Sequence, residues 1–175
     1  MDTLLTFLNS SLGVMLSAAV IAAIGLYTWQ RQDWVFKERF QRTQVMLDRQ
    51  FDLVDKINKD VGKLVALAAS ISAPILKGPV SQEQTDDAIR SYNEYQSSWF
   101  GQCEAYKASL AFYFPAEVVD SFNGVIEATG TLDFSLGSVR TQEGANQAYE
   151  AGLAVYKALR EFNAKALKEI KGDRT

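Results

Sequence analysis

Residues 3–30 carry no formally charged side chain, and from Arg31 onward the chain is crowded with them. That discontinuity constrains the fold more than any other feature. A helix that is apolar on every face must be enclosed by lipid or by a large protein, and a chain of 175 residues offers little protein to enclose it. The strongest apolar part runs from Leu12 to Tyr27. With its small and neutral neighbours it supplies the roughly 20 residues that cross a bilayer. Tyr27, Trp29, Arg31 and Trp34 follow, where amphipathic aromatics and cations favour a membrane interface.

A cleaved export signal fits this stretch poorly. No basic region precedes the apolar run, and Tyr27–Arg31 is not a small-residue cleavage site. The expectation is therefore an N-terminal single transmembrane helix that is retained. Arg31, Lys37, Arg39, Arg42 and Arg49 lie on its C-terminal flank, against Asp2 and the terminal amine on the other side. This bias predicts a bacterial-type inner (plasma) membrane protein whose C-terminal domain is cytoplasmic. Gly13 with Ser17, and Ala18 with Ala22, make small-xxx-small pairs that let membrane helices pack closely.

Beyond the apolar run, Phe40, Leu47, Val54, Val61 and Ala68 recur every seven residues. Ile57, Leu64 and Ile71 form a companion row, which continues toward the N-terminus as the polar Thr43 and Gln50. Such spacing makes one persistent helix seam. The seam predicts a helix reaching to about Ser72, with Phe40, Leu47, Val54 and Val61 packing a stalk or a partner. Its membrane-proximal end, at Thr43 and Gln50, is expected to be looser or paired with something else.

Pro74, Gly78 and Pro79 break the pattern, and Ser81 with Gln84 reads as a helix-capping box. A second row follows at Ile89, Tyr92, Gln96, Trp99, Cys103, Tyr106, Leu110 and Tyr113. Pro115 separates it from a third at Val118, Phe122, Val125, Thr129, Leu132 and Leu136. Thr141 caps a fourth helix, whose inner row is read as Ala145, Tyr149, Gly152, Tyr156, Leu159, Phe162, Ala166 and Ile170. The fold class is all-α: a single transmembrane helix continuing into a stalk and an antiparallel four-helix bundle. Residues 1–30 form the tail and anchor, 31–50 the stalk and 51–175 the bundle.

The side chains available for chemistry are few. Histidine is absent, Cys103 is the sole cysteine, and the net charge is −3. These facts exclude histidine-ligated metals, histidine acid–base catalysis and paired-cysteine redox work, and they give no reason for a nucleic-acid partner. Glu117, Asp120, Glu127 and Asp133 read as solvent-facing charge, and Cys103 as a packed thiol. The cations Lys157, Arg160, Lys165, Lys168, Lys171 and Arg174 read as a solvated face that complements the helix dipole. No Gly-rich phosphate loop, nucleophile elbow or metal-ligand series is present. No catalytic, cofactor or metal residues are assigned, and no small-molecule substrate is expected.

The resulting functional expectation is a non-enzymatic, membrane-anchored accessory or scaffold subunit of a membrane complex. Its partners are other membrane subunits, a second copy of itself and the lipid bilayer. The alternative is a single-pass sensory module with a ligand-responsive bundle.

Overall fold

Heptad spacing, helix caps and three prolines divide the described residues into four helices. The computed structural model describes the backbone of residues 11–172 and the side chains of residues 24–172. The helices are α1 (Ser11–Lys77), α2 (Gln82–Tyr113), α3 (Ala116–Leu136) and α4 (Gln142–Gly172).

α1 runs further than its prolines suggest. Pro74 lies inside its last turn, where the loss of one backbone hydrogen bond is tolerated. The stop comes at Gly78, whose φ of 157° disfavours a side chain, and at Pro79 after it. Ser81 then caps α2, its Oγ accepting from the Gln84 amide at 3.3 Å. Pro115 is the N-cap of α3 and not its first helical residue. Thr141 Oγ1 accepts from the Gly144 amide at 3.0 Å to open α4. Gly144 is obligatory there, since a Cβ would stand 1.9 Å from the Ser138 carbonyl oxygen.

The chain divides into two compact units, Met1–Met46 and Leu47–Thr175. The second is the four-helix bundle. Its pairings give the helix directions. Gln50 bonds to Tyr113 while Asp60 bonds to Tyr95, so α1 and α2 are antiparallel. Trp99 bonds to Thr129 while Asp86 pairs with Arg140, so α2 and α3 are antiparallel as well. Its core is aliphatic around Ile57, Val61 and Leu64, and aromatic around Trp99, Tyr106, Phe122 and Phe162. Phe122 meets Trp99 and Tyr106 edge-on, at centroid distances of 6.1 and 6.3 Å.

The first unit is helical from Ser11, and its described surface is laced with short-range ion pairs. Lys37 lies 2.7 Å from Asp33 and Arg42 lies 2.5 Å from Glu38. Both pairs are exposed and i,i+4, each worth about 0.3–0.5 kcal/mol.

The expectation of a transmembrane helix is corrected by these helices. Among the described residues, no helix is long and apolar enough to cross a membrane. The described side chains begin at Ile24, and the uncharged run ends at Gln30. The single-pass topology, the bilayer as partner and the inner-membrane location with a cytoplasmic domain are withdrawn with the anchor. So are the membrane-complex subunit and the single-pass sensor. The proposed packing residues Gly13, Ser17, Ala18 and Ala22 lie outside the described side chains.

Candidate interaction surfaces

α1 carries one pair of heptad rows into two different environments. In the bundle the rows are Leu47, Val54, Val61 and Ala68, with Gln50, Ile57, Leu64 and Ile71. All eight side chains are at most 6% exposed. In the first unit the same rows read Leu26, Asp33 and Phe40, with Trp29, Phe36 and Thr43. There Leu26, Trp29, Phe36 and Phe40 are 57–70% exposed. Tyr27 and Trp34 are exposed to a similar degree off these rows, and Arg31 is exposed too. The four row side chains alone present on the order of 500 Å² of apolar surface, as large as the biggest patch on a typical monomer.

Inside the bundle, polar side chains fix the register. Asp60 of α1 accepts from Tyr95 Oη at 3.0 Å and from Tyr106 Oη, so one carboxylate clamps two points of α2. Lys63 lies 4.2 Å from the Tyr95 ring centroid and Lys56 5.5 Å from that of Tyr106. Burial and the Asp60 carboxylate push the Tyr95 phenol up to about 12, and they raise Tyr106 further. Asn58 and Asn163 exchange amide hydrogen bonds at 3.0 and 2.7 Å, tying α1 to α4. Gln50 was expected in a stretch either looser or paired with something else. It is buried, and its Nε2 donates to the Tyr113 carbonyl at 2.8 Å.

These polar groups tie α1 to α2 and to α4. Burial pushes the Cys103 thiol up to about 11, where it is a poor nucleophile at neutral pH. It donates to the Trp99 carbonyl at 3.3 Å. Among the described residues, no three His, Cys, Asp or Glu side chains converge as a metal site. Glu117, Asp120 and Glu127 are exposed, whereas Asp133 is half-buried and its carboxyl is raised by desolvation. A cavity of about 650 Å³ at the α1–α2 turn includes Lys77, Thr85 and Arg140, but Arg140 is already 2.6 Å from Asp86.

Sequence reasoning misplaced one face of α4. Tyr149 and Tyr156 are half-exposed, and the core positions beside them belong to Ala148, Ala151 and Val155. Large aromatics were read as core because they are apolar. The signal for the true face was the smaller set at 144, 145, 148, 151, 152 and 155, where a Cβ on Gly152 would lie 3.7 Å from Val65 of α1. Comparison with family models, curated proteins and solved structures finds no match to this chain.

Proposed function

We propose that this protein is a non-catalytic, self-associating helical scaffold, whose first helix pairs with the first helix of a second copy. The carrying observation is the exposed row of Leu26, Trp29, Phe36 and Phe40. It keeps the heptad register that packs against helices in the bundle, so its natural complement is another helix of the same pattern. Two copies of the patch together bury about 1,000 Å², the scale that a specific interface requires. Asp33 interrupts the row, and its charge is offset by Lys37 at 2.7 Å.

Sedimentation equilibrium of the full chain tests the proposal. The wild type is expected above its 19.4 kDa chain mass. The triple variant Trp29→Glu, Phe36→Glu, Phe40→Glu is expected to lose mass while keeping its helical circular dichroism. A monomeric wild type, or a triple variant of unchanged mass, overturns the reading.

A further inference from the structure

α4 carries a second row that the bundle leaves mostly exposed, although Asn163 on it bonds to Asn58 of α1. Ala148, Val155, Leu159, Phe162, Ala166 and Ile170 are buried within the bundle. Tyr149, Leu153, Tyr156 and Leu167 are exposed, and with Arg160 and Asn163 they repeat at alternating steps of four and three residues. That is the spacing of a helix-pairing seam. Beside it, a groove of about 60 Å³ is floored by Ala68, Ala69 and Gly152, small enough to let a second helix approach.

We infer that this face pairs with the same face of a second copy, α4 antiparallel to α4, about a twofold axis between Leu153 and Tyr156. The inference shares the self-association reading but uses a different surface. Setting Leu153 against Tyr156 of the second copy sets Tyr149 against Arg160, and each contact occurs twice, as twofold symmetry demands. A guanidinium over a phenol ring is itself attractive.

The flanking charges select the direction. Glu150 and Lys157 are exposed, seven residues apart on one side of the row. Among the described residues neither forms an ion pair, although Glu161 and Lys165 nearby pair within the helix at 3.5 Å. Antiparallel pairing brings Glu150 of each copy onto Lys157 of the other. Parallel pairing puts this flank of the two copies on opposite sides of the seam, where Glu150 and Lys157 do not meet. Flanking charges of this kind decide partner and orientation between helices.

Cysteine trapping on the full chain reads this arrangement directly. Chains carrying Glu150→Cys and chains carrying Lys157→Cys are oxidised mildly, alone and mixed, with the unmodified chain as the Cys103 control. The expected result is a disulfide-linked dimer in the mixture and little in either chain alone. Glu150→Lys in an otherwise native chain weakens the pairing by roughly tenfold, and adding Lys157→Glu restores it.

Cross-linking of each cysteine chain with itself overturns the proposed antiparallel register. Absence of cross-linking in the mixture, or failure of the charge swap to restore pairing, overturns the interface. The trap is repeated in the Trp29→Glu, Phe36→Glu, Phe40→Glu background, where the mixed dimer is expected to persist. Persistence there, with no mass change from the triple variant, removes the first-helix reading and leaves this one. Loss of the trap there, with a fall to monomer, does the reverse.

Discussion

Ile57 and Phe36 occupy equivalent places in one heptad pattern, three repeats apart, yet Ile57 is fully buried and Phe36 is 70% exposed. Around Ile57, Asp60 ties α1 to α2 and Asn58 ties it to α4 of the same chain. Around Phe36 the described residues supply no covering helix. Periodicity therefore dictates that a helix has a side to bury, and leaves open what buries it. In the bundle the answer lies within the chain. In the first unit, we propose, it lies in a second copy.

The largest contrast is expected from truncating these two positions. Ile57→Ala is expected to cost about 2–5 kcal/mol of folding stability, through lost burial and the cavity left behind. Phe36→Ala is expected to stay within about 0.5 kcal/mol, as surface changes do. Urea unfolding of dilute protein measures both, and equal losses would erase the distinction between the two regions.

The clamp between α1 and α2 makes the bundle sensitive to alkali. The Tyr95 phenol ordinarily ionises near 10.0 and is held up to about 12 in the fold, with Tyr106 raised in the same direction. A raised phenol binds its proton more tightly folded than unfolded. Its stabilisation is thus complete below pH 10.0 and is lost as pH climbs toward about 12. Unfolding followed across that window is expected to show the decline, and Tyr95→Phe with Tyr106→Phe to flatten it. An unchanged slope in the double variant would contradict the clamp.

The smallest effect concerns Asp133, whose carboxyl is raised by desolvation despite a hydrogen bond with Gln96. Its ionised form opposes folding, so this group's contribution falls as pH rises through the carboxylate range. Asp133→Asn is expected to raise the melting temperature slightly at neutral pH and to leave it nearly unchanged in acid. Destabilisation at neutral pH would show that the charge is better satisfied than its burial implies.

Much of the bundle was legible in the sequence, because heptads, caps and prolines are local statements. Val118, Phe122, Val125, Thr129, Leu132 and Leu136 were readable as one face, and all are buried. Ser81 and Thr141 were readable as caps from their hydroxyls alone. What was not legible depended on neighbours. The turn of Tyr149 and Tyr156 away from the core follows from how closely α1 approaches α4. The Asp60 clamp joins residues 35 and 46 positions apart, beyond the reach of any local pattern. Gln50 looked like a weak point until the Tyr113 carbonyl gave its amide a partner. The apolar run before Arg31 suggested lipid because composition registers apolarity without its surroundings, and no described helix is long and apolar enough to span a membrane.

The three tryptophans, Trp29, Trp34 and Trp99, report on both regions at once. Fluorine-labelled tryptophan in the full chain gives one resonance for each, and the H₂O/D₂O shift of each resonance measures its contact with solvent. Trp99, buried beside Phe122, is expected to show almost no shift at any protein concentration. Trp29 is expected to show a full shift when dilute and to lose it as concentration rises and the first helices pair. A Trp29 resonance that stays fully solvent-exposed at every concentration would contradict the claim that a second copy covers the seam.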